Sequence, residues 1–514
     1  MHPLSQNRSS SPSNGAWRAR VRPRAATALP AAGGPADGSL RAATIGTAAD
    51  SASSPIDRRL LYLLCAWILA LCFDYRVLPL LRLELGVSIT PDRLVLAALI
   101  ATFIATKAWR TGDVKRPLAG KAVGRFAWLF AGIAVTSWVI VAPDTRNTSY
   151  GNLTWIMNLM VFPALAFHIA SRLQYTRAML MRLFWFLAII GAYLACTAIA
   201  EHYERLWPLV FPRYILDPSV GIHWGRSRGP FVDTISNGGM LIAAFLAFTF
   251  VATSLTGVKR LIALGFTLLI VPAVYFTETR GVWLGWAAAT ATLVVFGKEL
   301  RRPALLVAGA LLIAFVVGIG SKFSLNESTL FSRRQNTVDY RLNNYQIAWD
   351  AFKANPAFGV GYGNFYGVWR NYADQNTREG RQGLADGNHS TILGILAELG
   401  LAGALPYVAL IGFGALLCLG GQRRLKRQNL PFERQIAVMA LGILQAFVLL
   451  GLTNDLKAMP TINIVVLTFL GVVTSLLSVR PVTRDAAAAR HPQSKAVPAR
   501  HARIRPSFAA RAVR

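Results

Sequence analysis

Three arginines and one histidine have the residue types and positions to carry chemistry in this chain. Arg226 and Arg228 lie in the segment RSRG, directly before an apolar run, and Arg280 lies in the short turn TETRG between two apolar runs. His389 follows Asn388 and precedes another apolar run. Guanidinium groups bind phosphate in a bidentate manner, and an imidazole with a pKa of about 6.5 exchanges protons near neutral pH. The residue types therefore predict anion binding combined with proton transfer.

Each of these residues also has a purely structural interpretation. An arginine between two apolar runs, such as Arg280, can reach lipid phosphate and anchor a helix at the membrane interface. The two arginines of RSRG can face solvent, although Arg228 is favoured as a ligand because it lies nearer the apolar run. A single histidine such as His389 is more often structural than catalytic, so the sequence pattern by itself leaves its role open.

The elements that must position these residues are membrane helices. The chain has 514 residues, 54% of them hydrophobic and 15% charged, against about 25% charged in a typical soluble protein. Apolar runs of about 20 residues, the length that crosses a bilayer as a helix, recur along it. These features predict an all-α polytopic membrane protein, in which the formal charge of +30 reflects basic loops and tails rather than nucleic-acid binding.

We predict about twelve transmembrane helices. The second span is short and the tenth is long, so either is a candidate for a tilted or broken helix. The spans lie near 60–81, 93–108, 124–142, 152–171, 180–201, 235–256, 258–276, 281–297, 303–320, 391–419, 434–453 and 459–479.

The distribution of Lys and Arg predicts the orientation of these spans. With both termini in the cytoplasm, the cytoplasmic connections are 107–125, 171–182, 257–260, 298–302 and 420–434. All of them are rich in basic residues and nearly free of acidic ones, as the positive-inside rule requires. This topology puts the 202–234 connection, the TETRG turn and the long insert on the opposite, non-cytoplasmic face. It also collects Arg226, Arg228, Arg280, Arg341 and His389 there, and ionisable groups at membrane depth commonly mark a ligand path.

The long polar insert, the non-cytoplasmic loop 321–390, is predicted to contain short amphipathic helices. Leu342, Tyr345, Trp349 and Phe352 recur at helical spacing and predict one apolar face, which would lie on the membrane interface. Pro356 is predicted to end that helix. The run GVGYG after it allows a tight turn.

Both termini, 1–58 and 480–514, are predicted to be disordered basic tails because they contain too few large apolar residues to form a core. The transmembrane domain is therefore 59–479. Cys65, Cys72, Cys196 and Cys418 lie in apolar runs without metal-ligand spacing, so neither a disulfide nor a metal site is predicted.

Over residues 226–420 the chain resembles the O-antigen ligase/polymerase family of bacterial envelope proteins. Members have a Ser/Thr-Arg-Gly turn, an Arg…Trp helix, a Pro-x-x-Gly-x-Gly turn and a histidine ahead of a Glu-x-Gly-x-x-Gly span. The corresponding residues are Thr279-Arg280-Gly281, Arg341 with Trp349, Pro356 with Gly359 and Gly361, His389, and Glu398 with Gly400 and Gly403. The segment RSRGPF is similar to the family's Arg-x-x-Gly-x-Phe segment, whereas Asp233-Thr234 replaces a frequent Asn-Pro, and the N-terminal tail is longer than usual.

The resemblance implies a metal-independent, inverting transferase without a cofactor. Its partners would be a glycan on undecaprenyl pyrophosphate and an acceptor, either another glycan or the lipid A core, at the bacterial inner membrane. Arg280 and His389 would be catalytic, and Arg226, Arg228 and Arg341 would bind pyrophosphate or substrate. Guanidinium groups would stabilise the leaving pyrophosphate. His389 would act beside the acceptor as a base or orienting group for its hydroxyl. Asp233, Glu278 and Asp386 are alternative bases.

Three alternatives remain open at this stage. A repeat-unit polymerase of O-antigen or exopolysaccharide would share all of these motifs. A transporter of polysaccharide or lipid-linked sugar would need ionisable groups at mid-membrane, and few are present. A cell-wall glycosyltransferase of the shape-and-division type has a similar number of spans, but the loop motifs fit it less well.

Overall fold

The protein is described here by a computed structural model that covers residues 54–75, 83–84, 88–109, 114–141, 156–309, 313, 327–373 and 389–478. The helices are α1 (Pro55–Ala70), α2 (Pro91–Ala105), α3 (Leu118–Ile140), α4 (Phe162–Ala170), α5 (Arg177–His202), α6 (Thr234–Thr253), α7 (Gly257–Phe276), α8 (Arg280–Phe296), α9 (Glu327–Ala354), α10 (Phe365–Val368), α11 (Thr391–Arg427), α12 (Pro431–Thr453) and α13 (Pro460–Leu476). A π-helical turn, Met157–Val161, leads into α4. Short 3₁₀ turns are Glu204–Leu209, Arg213–Leu216, Gly229–Phe231, Trp369–Asn371 and Leu456–Ala458. Strands β1 (Leu83–Glu84) and β2 (Ser88–Ile89) form a two-residue antiparallel ladder that pairs Leu83 with Ile89.

The predicted all-α polytopic membrane fold is confirmed. Within the described residues, six helices are long and apolar enough to cross a bilayer, namely α3, α5, α6, α7, α11 and α12. Three shorter apolar helices accompany them: Met157–Ala170, α8 and α13. The helices α1 and α2 lie at the first two predicted spans but are only 16 and 15 residues long. The predicted span 303–320 lies largely outside the described residues.

The centre of the bundle is α6, of which 94% of the apolar segment is buried. It packs against α5, α7 and α12, while α12 also runs along α8 and α11. Small residues allow this packing: a Cβ on Gly191 of α5 would lie 2.2 Å from Cβ of Ala244 in α6. Van der Waals contact between closely approaching backbones is what holds helices together in lipid, where the hydrophobic effect between them is weak.

The two ends of the helix bundle carry different residues. At the basic end, Arg434 donates to the carbonyl of Phe296 at 2.7 Å, and the guanidinium of Arg177 lies 4.5 Å from the ring centroid of Phe432. The other end, called the site end below, is where α5, α7 and α12 end and α6, α8 and α11 begin. The helix directions therefore separate the predicted basic connections from the predicted site residues.

The helix in the long insert is longer than predicted, and the face that packs on the protein is distinct from the predicted apolar face. It is a single helix of 28 residues, α9, rather than a short one, and it ends two residues before Pro356 as predicted. Its packed face contains Ile347, Ala348 and Ala351. In the predicted apolar face, Leu342 is 59% exposed and Trp349 is 42% exposed.

The packing partners of α9 explain this difference. Ile347, Ala348 and Ala351 form a cluster with Phe365, Trp369 and Ala397. Two alanines allow the backbone of α9 to approach α11 closely, and the larger Trp349 and Phe352 pair with each other at 5.0 Å instead. Side-chain size at the contact, rather than hydrophobic spacing alone, selected the buried face.

The long tenth span is broken, one of the two outcomes expected for it. Gly400 inside α11 has φ 58° and ψ −155°, which is outside the helical region. At the N-terminal end of the domain, α1 begins at Pro55, inside the segment predicted to be a tail. The Ser54 hydroxyl accepts from the amide of Ile56 at 3.2 Å, and this cap starts the helix. The rest of both predicted tails lies outside the described residues.

Candidate active site

The TETRG turn is fixed to the bundle by threonine hydroxyls. Thr279 donates to the Thr234 hydroxyl at 3.1 Å, which ties the turn to the start of α6, and Thr277 donates to the Val274 carbonyl at 2.7 Å. Arg280 is the first residue of α8 and is exposed. It makes no hydrogen bond or ion pair with any described residue. An exposed guanidinium beside the N-terminus of a helix is suited to bind an anion, because the first N–H groups of the helix add positive potential.

His389 lies immediately before α11, which Ser390 caps. Its ring lies 5.9 Å from that of Tyr340, and its carbonyl accepts from the Tyr345 hydroxyl at 3.1 Å. Arg341, the neighbour of Tyr340, is half-buried. Burial raises the pKa of Tyr345, and the positive charge of Arg341 opposes that shift. The helix α9 therefore lies against His389 and brings Arg341 into the same neighbourhood.

The Arg280 turn and the His389 segment meet through the end of α12. A Cβ on Gly281 would lie 2.4 Å from the Thr453 hydroxyl and 2.9 Å from Nδ2 of Asn454, so only glycine permits this approach. The Asn454 carbonyl accepts from the Thr391 hydroxyl at 2.9 Å. The predicted arginine and histidine segments are thus at the same end of the bundle, with one short turn between them.

Arg228 has a different environment from Arg280. It is 0% exposed, and its Nη2 donates to the carbonyls of Ile215 at 2.7 Å and Asp217 at 3.1 Å. Its Nη1 donates to the Val220 carbonyl. The Glu201 carboxylate accepts from the Arg228 amide at 3.0 Å and lies 3.7 Å from Nε. In this structure Arg228 holds the 202–234 connection together, while its predicted contact with substrate stays a prediction.

Other predicted residues have mixed environments. Arg226 is half-buried. Asp233 caps α6 by accepting from the Ser236 amide at 2.7 Å, and its second oxygen, Oδ1, is buried without a hydrogen-bond partner. Glu278 is exposed in the TETRG turn. Asp386 lies outside the described residues.

Backbone strain is concentrated at the site end. Among the described residues, six other than glycine have positive φ, and four of them are at this end: His223, Val232, Glu278 and His389. Left-handed backbone costs a non-glycine residue about 1–2 kcal/mol. Such strain is often associated with functional sites. Two of the four, Glu278 and His389, belong to the predicted catalytic segments.

The Pro-x-x-Gly-x-Gly turn pairs with the break in α11. The amides of Val360 and Gly361 donate to the carbonyls of Ala397 and Glu398, both at 2.9 Å. The Leu401 amide donates to the Pro356 carbonyl at 2.9 Å. These backbone hydrogen bonds between residues 356–361 and 397–401 are called the seam below. The seam satisfies the backbone groups that the break at Gly400 leaves without helical partners, and it connects the segment after α9 to α11.

Sequence reasoning missed a buried cluster of charges beside this seam. Lys457 Nζ lies 2.7 Å from Glu398 Oε2 and 3.5 Å from Asp455 Oδ2. Burial is the main cause that raises the pKa of Asp455 to about 6, with the Lys457 charge opposing the rise and Glu398 adding to it. In the sequence, this cluster is indicated by a charged residue, Glu398, within an apolar span.

Two further histidines, His202 and His223, lie near the turn. His223 Nδ1 lies 3.3 Å from the Thr234 hydroxyl, which in turn accepts from Thr279. His202 stacks on Phe276 with ring centroids 3.8 Å apart. Among the described residues, no group of three histidine, cysteine or carboxylate side chains could hold a metal ion.

Comparison with protein families finds a match for part of the chain. A family model described as O-Antigen ligase matches residues 265–408. Over this segment the chain is similar to the O-antigen ligase family. The matched segment contains Arg280, Arg341, His389 and the seam, whereas Arg228 and Lys457 lie outside it. No curated protein matches the chain. The protein is therefore a multi-pass membrane glycosyltransferase of the O-antigen ligase/polymerase type.

Proposed function

We propose that this protein transfers a glycan from undecaprenyl pyrophosphate to a sugar hydroxyl of the lipid A core, at the periplasmic face of the bacterial inner membrane. The observation that carries this proposal is the junction of the Arg280 turn with the His389 segment through Asn454 and Thr391. It brings an anion-binding group and a proton acceptor to one end of the bundle. Transfer of a glycan from a pyrophosphate requires both.

Charge distribution supports the orientation. The basic connections that the positive-inside rule assigns to the cytoplasm meet at the end opposite Arg280 and His389. Both termini would then be cytoplasmic, and the site would face the periplasm, where the completed lipid-linked glycan is available to an acceptor.

The donor is held through its pyrophosphate. Arg280 is exposed and has no described partner, so its guanidinium can pair with phosphate oxygens without first breaking another contact. Arg341 adds positive charge from α9, and Arg226 is a further contact from the 202–234 connection. As the glycosidic bond breaks, negative charge grows on the leaving pyrophosphate, and fixed positive charges stabilise it without a metal ion.

His389 is the base that accepts the proton of the acceptor hydroxyl. The acceptor oxygen attacks the anomeric carbon from the face opposite the pyrophosphate, and this inverts the anomeric configuration. The C–O bond to pyrophosphate breaks, the leaving phosphate oxygen takes its electron pair, and the proton of the hydroxyl passes to the His389 ring. Asp233 is the alternative base among the described residues with the strongest structural support, because its buried Oδ1 has no hydrogen-bond partner.

The test is transfer by the purified protein, supplied with a lipid-linked oligosaccharide and lipid A core in detergent containing EDTA. We expect Arg280→Ala and His389→Ala each to lower transfer by about 10²–10³-fold, the magnitude typical of losing one stabilising group. Arg260→Ala is the matched control, since Arg260 is also exposed near the start of a helix but lies at the basic end. Product anomeric configuration, read by NMR, reports inversion.

Several results would contradict the proposal. Unchanged transfer in Arg280→Ala or in His389→Ala would remove that residue from the site, and loss of transfer in EDTA would contradict the role given to the arginines. Product formed only when a second lipid-linked oligosaccharide replaces the core would identify a repeat-unit polymerase instead.

A further inference from the structure

Lys457 and Glu398 form a buried ion pair that none of the proposed catalytic steps uses. Their side chains are 7% and 3% exposed, and Nζ lies 2.7 Å from Oε2. Burying two charges costs several kcal/mol per ion before their attraction offsets it. A pair of apolar residues would commonly give equal or greater stability. The ion pair is therefore poorly explained by stability alone.

The ion pair connects two segments, α11 and the 3₁₀ turn after α12, whose relative position fixes the geometry of the site. Glu398 precedes the break at Gly400, and its carbonyl accepts from the Gly361 amide in the seam. Lys457 belongs to the 3₁₀ turn after α12, in which the Leu456 amide donates to the Thr391 hydroxyl at 2.8 Å. Thr391 and Glu398 lie about two turns apart on one face of α11. The 454–458 turn is thus fastened to α11 at two points.

The other side of the same turn contacts the Arg280 segment. Thr453 and Asn454 are the residues that a Cβ on Gly281 would meet. Any rotation of the 454–458 turn about its Thr391 contact would therefore move the start of α8 relative to His389. The second fastening point, the ion pair, prevents that rotation.

We propose that Lys457 and Glu398 are positioning residues, whose ion pair sets the spacing between the Arg280 turn and His389. This inference rests on the proposed function, in which both groups act on one donor–acceptor complex. Alignment errors of about 1 Å can cost about 10²-fold in rate, so loss of the ion pair lowers kcat more than it changes substrate binding.

The first experiment compares Lys457→Met with Lys353→Met in the glycan transfer assay. Lys353 is the matched control because it lies 2.7 Å from Asp350, the same distance, but is 55% exposed. We expect kcat of Lys457→Met to fall at least tenfold with the donor KM changed less than threefold, and Lys353→Met to stay within twofold of the wild type. Lys457→Arg keeps the positive charge that faces both Glu398 and Asp455, and it restores at least a third of wild-type kcat.

A second measurement does not depend on activity. Hydrogen exchange of the peptides that contain Val360–Gly361 and Leu456 reports the seam and the turn, since these amides donate to α11. We expect at least tenfold faster exchange in Lys457→Met, no change in Lys353→Met and wild-type protection in Lys457→Arg. If the wild-type protein showed no glycan transfer, the proposed function would be contradicted. The hydrogen-exchange measurement would then still test whether the ion pair holds the 454–458 turn against α11.

The positioning role is overturned by either of two results. One is a folded Lys457→Met variant with kcat within twofold of wild type. The other is a Lys457→Arg variant that keeps exchange protection and melting temperature but not transfer. If Lys457→Met does not fold, Lys457→Arg decides between these outcomes, because it keeps the positive charge opposite Glu398 and Asp455.

Discussion

The 202–234 connection and the TETRG turn each present an arginine at the site end, but the two arginines have opposite environments. Arg228 is fully buried, and three backbone carbonyls accept from its guanidinium. Arg280 is exposed and has no hydrogen bond or ion pair with the described residues. Both have the same residue type, both precede an apolar helix, and both were predicted to bind the same ligand.

The difference follows from how each segment satisfies its own backbone. The 202–234 connection consists of short 3₁₀ turns and loops, so carbonyls such as those of Ile215, Asp217 and Val220 lack ladder partners, and a buried guanidinium supplies the donors. In the TETRG turn the threonine hydroxyls of Thr277 and Thr279 make the local contacts instead. An arginine is free for a ligand only where other groups have completed the local structure.

The largest effect is expected from Arg228→Ala. It leaves the carbonyls of Ile215, Asp217 and Val220 without their guanidinium donors and the buried Glu201 carboxylate without its opposite charge. Removing one partner of a buried charge pair costs about 3–5 kcal/mol. We expect a large fall in melting temperature and in folded yield, measured in detergent. Arg226→Ala, two residues earlier and half-buried, serves as the control and should change stability by about 0.5 kcal/mol or less. A melting temperature of Arg228→Ala equal to that of the control would show that the guanidinium network does not hold the connection.

An intermediate effect is expected from Gly281→Ala. The added Cβ would lie 2.4 Å from the Thr453 hydroxyl and would push α8 away from the end of α12. Overpacking of this kind costs about 1–3 kcal/mol, and it would also lower glycan transfer by moving Arg280. The control is Gly265→Ala in α7, where nothing lies within 4 Å of the new Cβ. Equal stability and transfer in both variants would mean that the close approach of α8 to α12 is not required.

The smallest effect on stability is expected from Arg280→Ala. Because its side chain is exposed and makes no polar contact with the described residues, truncation should change stability by about 0.5 kcal/mol or less. Melting of the variant beside the wild type measures this, while the same preparation loses transfer. A fall in stability as large as that of Arg228→Ala would erase the contrast between the two arginines and assign Arg280 a structural role as well.

Much of the fold was predictable because it depends on local hydrophobicity. The membrane-length helices, the end of α9 before Pro356, the tight turn after it and the start of α11 after His389 follow from apolar runs, proline, glycine and capping residues. The face of α9 that packs on the protein contains Ala348 and Ala351, which allow a close approach to α11, whereas Leu342 and Trp349 stay exposed. The contact of that exposed apolar face with the membrane interface stays a prediction. Spacing identifies a helix, but the partner surface chooses which face is buried.

The glycine motifs were recognisable in the sequence, whereas their relationship was not. Gly359 and Gly400 lie in different motifs, and each meets backbone of the other's segment: a Cβ on Gly400 would lie 2.7 Å from the Gly359 amide nitrogen. Each glycine also has a positive φ. The two motifs are therefore the two halves of one seam, which sequence patterns separated by tens of residues do not reveal.

Sequence alone determined that this protein is a helical membrane protein with basic connections, and it identified Arg280 and His389 as candidates, because apolar length, charge bias and motif chemistry are properties of short segments. Only the tertiary structure decided that the Arg228 guanidinium donates to backbone carbonyls, that Arg280 is exposed, and that Lys457 pairs with Glu398. Burial and pairing depend on which segments meet at the site end, and such meetings are set by packing across the whole bundle.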